Sequence, residues 1–296
     1  MLHVVFNPVA GRGRAHAALD ELARLLDAAA LEHVLHVTTG PGHATELAAD
    51  TPSGTTIVAV GGDGTVHEVV TGMLSVEEGV HPTSRVLAVV PVGSGDDFAH
   101  ALGLKRGDVA GAVATLLQGR RRTVDVGLVN GSPFVNAFST GFDADVAHRL
   151  DDVPRFLKGL AAYLYALTIS LGSARSVGVS VKLDGISARV GNALLVAVQN
   201  GPRTGGSFTY APDAKPDDGH LDVVVARDLD LFGTLSLLPR VMLGTHLSHP
   251  KVSWHRVKSV EIEWTRVRNG HVDGESAGSS QRFQVEIRAG RLTVLG

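Results

Sequence analysis

The run Val60-Gly61-Gly62-Asp63-Gly64-Thr65 constrains this chain most. It follows a β-branched stretch, Thr55-Thr56-Ile57-Val58-Ala59-Val60, that reads as a buried strand, and it precedes Val66–Leu74, which reads as a helix. A buried strand that passes through glycines into a helix is half of a βα unit and belongs in a parallel sheet. Three glycines in four residues allow positive φ and close approach of a ligand. Amides at such a turn, beside a helix N-terminus, form a phosphate site. Asp63 would repel a bare phosphate, so a metal ion or a sugar hydroxyl is expected between them. The pattern points to nucleotide phosphates with magnesium.

Composition narrows the function classes. With 296 residues, 44% hydrophobic and 19% charged, the chain can form a substantial core in two domains or one large one. Its 35 glycines show no triplet period, which excludes collagen and favours loop chemistry. A net charge of -3 gives no global basic field, so nucleic acid is not an expected partner. The absence of cysteine excludes disulfides and thiolate metal sites and fits a reducing compartment. Met1–Pro8 reads as a first strand rather than a signal peptide. The longest apolar run, Phe156 to Leu171, is interrupted by Lys158 and is too short to span a bilayer comfortably. A soluble, cytoplasmic protein is expected, with contact at a membrane surface left open. Arg120-Arg121-Arg122 reads as a solvated edge, with anionic lipid as its alternative partner.

Strands and helices alternate in the first half. Leu2–Phe6, Val34–Val37, Thr56–Val60, Arg85–Val90 and Thr123–Val129 read as strands. Ala15–Ala30, Ala44–Ala49 and Asp108–Leu117 read as helices, the last stopped by Gly119. The order predicts a parallel sheet with helices on both faces and ligands at the strands' carboxyl ends. After about residue 130 strand-like runs dominate: Phe134–Phe138, Val177–Leu183, Ala188–Val198, Leu221–Ala226, Ser259–Trp264, Gly270–Val272, Phe283–Arg288 and Arg291–Leu295. Asp184-Gly185 and Ala289-Gly290 are the expected hairpin turns. Two helical regions interrupt, Pro154–Gly172 and Leu231–Gly244. The expected organisation is an α/β domain over residues 1–129 and a mainly antiparallel β domain over 130–296.

Four further segments carry chemistry. Asn7 to Arg14 offers amides and two guanidinium groups after the first strand, but His16 stands where the third glycine of a dinucleotide fingerprint belongs. Pro91-Val92-Gly93-Ser94-Gly95-Asp96-Asp97-Phe98 ends in two carboxylates that either cap the next helix or serve a metal. Pro212 to Asp222 packs carboxylates into a Pro/Gly turn, which suits a hard cation or an ordinary acidic loop. Asp273-Gly274-Glu275 places a potential base between strands. There is no G-x-x-x-x-G-K-[ST] phosphate loop, and His67-Glu68-Val69-Val70-Thr71 lacks the second histidine of a zinc protease motif.

Together these segments resemble the diacylglycerol kinase catalytic family of bacterial lipid kinases and sphingosine kinases. The matching pieces are Asn7-Pro8 with Gly11, Gly61–Thr65 with Glu68-Val69, Pro91–Ser94 with Asp97-Phe98, Asp125-Val126-Gly127, Gly141-Phe142-Asp143-Ala144, Pro212-Asp213-Ala214 with Asp218-Gly219, and Asp273-Gly274-Glu275. Gly-Gly-Asp-Gly alone is shared with NAD kinases and phosphofructokinases, and the C-terminal pieces make the assignment specific. The resemblance implies an N-terminal Rossmann-like domain and a C-terminal β-sandwich-like domain, with ATP in the cleft between them and the last strands returning to the first domain. It also implies ATP-dependent phosphorylation of a lipid hydroxyl.

Carried over by position, Asn7, Pro8, Val9, Ala10, Gly11, Thr38, Gly61, Gly62, Asp63, Gly64, Thr65, Val66, His67 and Ser94 contact ATP. Glu275 is the general base. Lys215, Asp218 and His220 form a structural Mg²⁺ site, Asp218 through its side chain and the other two through carbonyls. Asp63, Asp97 and Asp125 form a carboxylate network between ATP-bound magnesium and that site. The family pattern is broken at His67, Ser94 and Asp96, where it usually has Asn, Thr and Asn. Asp96 adds negative charge near the phosphates. Expected partners are ATP, a lipid alcohol such as diacylglycerol, a peripheral membrane surface and, for a homodimer, a second copy of the chain. The alternative function is an NAD kinase-like or other small-molecule kinase. The acceptor tail needs an apolar groove, for which Phe156-Leu157, Tyr163–Tyr165 and Val241-Met242-Leu243 are candidates, although such stripes are more often core.

Overall fold

A computed structural model describes residues 1–77, 79, 81–154, 157, 160–171 and 175–296. The chain divides into two compact units. The first is Met1–Val126 with Pro216–Asp218 and Arg288–Gly296, and the second is Gly127–Lys215 with Gly219–Ile287.

The first unit alternates β1 (Leu2–Phe6), α1 (Ala15–Ala28), β2 (His33–Val37), α2 (His43–Asp50), β3 (Thr56–Gly61), α3 (Asp63–Val76), β4 (Val86–Pro91), α4 (Asp97–Ala101) and α5 (Val109–Gln118), followed by the start of β5 (Arg121–Val129). β4, β3, β1 and β2 lie side by side, all parallel. The chain's last strand, β13 (Glu275–Leu295), adds a fifth by pairing Thr293 with Val86 in parallel. Thr293 is fastened there twice: its amide donates to Thr83 Oγ1 (2.9 Å), and its hydroxyl donates to the Thr83 carbonyl (2.7 Å). β4 is buried at every position, as the covered centre of a parallel sheet requires. α1 turns Ala15, Ala18, Leu22 and Leu26 to the core at helical spacing. Asp108 caps α5 by accepting from the Gly111 amide (2.7 Å), and Gly119 ends it at φ 61°.

The second unit contains the rest of β5, β6 (Ser132–Phe134), β7 (Ala137–Gly141), α6 (Phe142–His148), α7 (Leu160–Ser170), β8 (Val177–Leu183), β9 (Ile186–Gln199), β10 (Leu221–Arg227), α8 (Leu231–Met242), β11 (Val252–Val257), β12 (Ser259–Val272) and most of β13. β11, β10, β9, β7, β12 and β13 pair in that order, antiparallel throughout. β8 pairs with β9 and β12 beyond the reach of β7. One core of this unit joins Phe134, Phe138, Ile262, Trp264 and Phe283, and another lies among α6, α7, α8 and the strands they cover.

The α/β-plus-β fold class read from sequence holds, with corrections in detail. Phe134–Phe138 is not one strand: the Val135 and Asn136 amides donate to the Asp273 carboxylate, which separates β6 from β7. Ala289-Gly290 does not turn the chain. β13 continues through it, with Gly290 at φ 57° and its amide donating to Asp125. Ser259–Trp264 and Gly270–Val272 form a single strand with register shifts. The apolar run expected as a helix begins on Phe156 and includes Lys158, both outside the described residues. Among the described residues no helix is long and apolar enough to cross a membrane.

Candidate functional site

In the first unit, the loops after β1, β3 and β4 converge at the strands' carboxyl ends, where an open parallel sheet binds ligands. Close backbone packing holds them together. Gly11 has φ 61°, and a Cβ there would run into the Val92 carbonyl oxygen. Gly93 is packed so tightly on the Gly62 Cα that neither accepts a side chain, and a Cβ on Gly62 would lie 3.0 Å from the Gly93 Cα. A Cβ on Gly61 would strike the Thr65 side chain. Gly61, Gly62 and Gly64 are not at positive φ, contrary to the sequence reading. Gly61 and Gly62 serve close approach instead.

Polar contacts lock the same loops. Asn7 donates through Nδ2 to Thr65 Oγ1 (3.0 Å) and accepts from the Val9 amide (3.1 Å). Arg14, considered above as a phosphate ligand, donates to the carbonyls of Gly93 (2.7 Å) and Gly11 (3.1 Å). Asp63 accepts from the amides of Asp97 (2.7 Å) and Phe98 (3.1 Å), which fixes the start of α4 to the start of α3. Asp96 stands at φ 54° and accepts from the Gly93 amide (2.9 Å). Its added charge faces Arg106, 3.6 Å away, which also donates to the Gly95 carbonyl.

The remaining expected nucleotide residues are in the same unit. Thr38 is buried, and its amide donates to the Phe6 carbonyl (2.9 Å). Val66 is buried, Pro8, Ala10 and His67 are half-buried, and Val9 and Ser94 are exposed. Glu68 accepts from the amides of Gly42 (2.9 Å) and Ala44 (3.1 Å), a helix cap rather than part of a zinc site. Asp97 and Asp125 are buried. Asp125 binds the two returning segments, accepting from the Gly290 amide (2.6 Å) and donating its own amide to the Pro216 carbonyl (2.6 Å). Asp218 is half-buried in the first unit, while Lys215 and His220 belong to the second. Among the described residues no three His, Asp or Glu side chains form a metal cluster, so a cation at the Lys215–His220 turn would draw on one carboxylate and backbone oxygens.

In the second unit, Glu275 is exposed at the start of β13 and pairs with Val272 across a two-residue turn. Asp273 (φ 45°) and Gly274 (φ 100°) both take positive φ, as a type I′ hairpin demands. The buried Asp273 carboxylate accepts from three amides, Val135 (2.7 Å), Asn136 (3.0 Å) and Ala137 (2.8 Å). Sequence reasoning missed this anchor, because its three partners lie more than 130 residues away.

It also missed a group of buried polar residues. Tyr210 hydrogen-bonds Asp143, and burial, followed by that carboxylate's charge, pushes the phenol's pKa well up. Burial lowers the pKa of His271, with Asp143 pulling the other way. His246 is lowered by burial too. Asp143, Tyr210, Thr234 and His246 line a mainly apolar pocket roofed by α8, with Phe142, Leu194, Phe208, Leu237 and Val241 among its walls. Val241 alone of the expected Val241-Met242-Leu243 groove lines it, and Leu243 is exposed. Gly-Phe-Asp-Ala in the sequence was the one signal for Asp143.

The fold and its glycine loops are those of a kinase-like α/β domain followed by a β domain, and comparison with known proteins makes this specific. Residues 1–129 match the diacylglycerol kinase catalytic domain, and residues 136–296 match the YegS C-terminal NAD kinase beta sandwich-like domain. The chain is 31% identical over 281 residues to the diacylglycerol kinase of Bacillus subtilis (strain 168), covering 93% of this chain and 89% of that one. It is 28% identical over 277 residues to that of Staphylococcus haemolyticus, covering 93% and 82%. A crystal structure from Bacillus anthracis str. Sterne, described as a diacylglycerol kinase, superposes with a TM-score of 0.81 at 26% identity over 99% of this chain and 94% of that one. An Archaeoglobus fulgidus NAD kinase solved with ATP shares the fold, with a TM-score of 0.55 at 12% identity over 100% of this chain and 94% of that one. The chain belongs to the diacylglycerol kinase family and is a kinase.

Proposed function

We propose that this kinase transfers the terminal phosphoryl group of ATP to the hydroxyl of a lipid alcohol such as diacylglycerol. The carrying observation is the mutual packing of Gly11, Gly62 and Gly93 with the backbone of neighbouring loops. It leaves main chain rather than side chains at the carboxyl ends of β1, β3 and β4, where phosphates are cradled. The Archaeoglobus fulgidus neighbour supports the fold's capacity for ATP. Asn7–Gly11, Thr38, Gly61–His67 and Ser94 contact the nucleotide in this reading. Asp63, Asp97 and Asp125 supply the carboxylates that balance phosphate-bound Mg²⁺. Asp218, with the carbonyls of Lys215 and His220, holds a structural cation, an oxygen-only donor set suited to Mg²⁺. Glu275 takes the proton of the acceptor hydroxyl, and the rest of catalysis is positioning and charge neutralisation.

A lipid acceptor is favoured over a water-soluble one by the relatives that the chain resembles along most of its length, which are diacylglycerol kinases. α8 turns Phe232 and Leu235 outward, and Leu243 just beyond its end is exposed, which supports a peripheral encounter with a membrane on the cytoplasmic side. Incubation with radiolabelled ATP and a total lipid extract tests the function, and a labelled phospholipid is expected. Glu275→Gln should retain nucleotide binding and lower turnover by roughly a hundredfold. Near-normal turnover in that variant removes Glu275 from the chemistry. Labelling of water-soluble acceptors alone would move the assignment to an NAD kinase-like activity.

A further inference from the structure

α6 is fastened to the strands it covers by two polar side chains. Asp145 accepts from Arg268 Nη2 (2.8 Å) and Asn269 Nδ2 (2.9 Å), both on β12. His148, the last residue of α6, reaches β13 instead. Its Nδ1 lies 2.9 Å from the Ala144 carbonyl. A carbonyl only accepts, so Nδ1 carries the proton and Nε2 presents a lone pair. Ser276 Oγ stands 3.2 Å from that Nε2, and the serine hydroxyl is therefore the donor. The Gly278 amide donates to the same Oγ (3.2 Å) and leaves the hydroxyl proton free to point at the imidazole. The donors along Gly278, Ser276, His148 and Ala144 thus all run in one direction.

His148 and Ser276 are both exposed. Water can replace such bonds one by one, so they add little to stability. What they fix is a place in the chain. Ser276 directly follows Glu275. In the hairpin Glu275 pairs with Val272, and Ser276 pairs with His271. Successive strand residues point to opposite faces, so His148 grips β13 from the face away from the Glu275 side chain. Two residues before Glu275, the Asp273 carboxylate gathers three amides. An exposed glutamate thus sits between two anchored neighbours.

Resting on the reading of Glu275 as the base, we propose that His148 is a positioning residue for phosphoryl transfer: through the Ser276 hydroxyl it fixes the backbone at the start of β13 and so sets where the Glu275 carboxylate meets the acceptor hydroxyl. The role calls for no contact with either substrate. Turnover of 1,2-dioleoylglycerol in detergent micelles with radiolabelled ATP tests it. His148→Ala and Ser276→Ala should each lower kcat roughly tenfold, because a slightly displaced base loses its alignment. KM for ATP and for the lipid should stay within about twofold. His148→Gln and Ser276→Thr keep an acceptor and a hydroxyl and should restore most of the rate. Both alanine variants should melt close to the wild type, as surface substitutions do. In Glu275→Gln, already slower by roughly a hundredfold, adding His148→Ala should change turnover by less than about twofold, since the two act as one unit. A full tenfold loss in that background, or wild-type kcat in both alanine variants, overturns the inference and leaves Glu275 as the base. Near-normal turnover in Glu275→Gln alone removes the base reading and this inference with it. No labelled product from the wild type, with dioleoylglycerol or a total lipid extract, removes the lipid kinase reading as well.

Discussion

Two Asp–Gly turns carry this family's motifs, and they differ in how much close packing adds to hydrogen bonding. At Gly62-Asp63 the backbone of one loop presses on another: Gly62 touches Gly93, and Asp63 reaches over to the first amides of α4. At Asp273-Gly274 nothing crowds the glycine, and one carboxylate gathers three amides from the strand junction at Val135–Ala137. The first turn adds steric exclusion to the hydrogen bonds of its aspartate, and the second relies on hydrogen bonding alone. Motif aspartates in both places clamp backbone, a role that comes before any contact with substrate.

The difference is open to breaking, and the hydrogen-bonded turn should break harder. Asp273→Ala strands three buried amides and should cost at least about 3 kcal/mol, measured by denaturant titration. Asp273→Asn keeps one acceptor oxygen and should lose less. If the two variants matched the wild type, the turn would be held by its glycine conformation alone. At the sterically held turn, Gly93→Ala forces a Cβ onto the Gly62 backbone and should cost about 2 kcal/mol, with weakened ATP binding by calorimetry. Unchanged ATP affinity would separate the loop packing from nucleotide binding.

A third carboxylate sharpens the rule. Glu77, buried in the first unit, accepts from the Ser84 amide and hydroxyl and from the Arg85 amide and guanidinium at 2.7–3.1 Å. Burial alone would raise its pKa, but these donors outweigh it and the net shift is downward from 4.5. A lowered folded pKa means the group stabilises the fold above its unfolded value and loses that contribution as pH falls through the folded one. Glu77→Gln should therefore be less stable than wild type by about 1–2 kcal/mol at pH 7, and the gap should narrow as pH falls below the ordinary value of 4.5 and through the lowered folded one. A gap independent of pH would mean that charge is not what Glu77 contributes.

What was legible in the sequence follows the same division. Gly61, Gly62 and Gly93 punctuate β-branched runs, so the strands, their parallel order and the loops at their ends could be read locally. The long strands could not: Ala289-Gly290 reads as a hairpin turn, and Trp264 and Gly270 as the ends of two strands, yet β13 and β12 run through both places. Nor could the junction between β6 and β7, which depends on Asp273. The pocket was illegible for the same reason: Asp143, Tyr210 and His246 are spread over about a hundred residues and share no local pattern. Contacts within one turn of chain leave a sequence signature, and contacts between distant elements leave little.

The departure at Asp96 gives the smallest expected effect and the finest test. Read in sequence, an extra carboxylate beside phosphates appears to work against nucleotide binding. In the fold, Asp96 accepts from the Gly93 amide and faces Arg106, whose side chain is 39% exposed. A half-exposed partner screens the pair, so its stabilising value is small. Asp96→Asn restores the family's usual residue and keeps the oxygen that Gly93 needs. Stability should fall by no more than about 0.5 kcal/mol, and added salt should shrink even that. Arg106→Ala, by contrast, removes a cation that faces Asp96 beside the glycine loops and should weaken ATP binding more than Asp96→Asn does. Titration of ATP into both variants checks the pair: if Arg106→Ala binds as well as wild type, the charge of Asp96 is compensated elsewhere and Arg106 is a bystander.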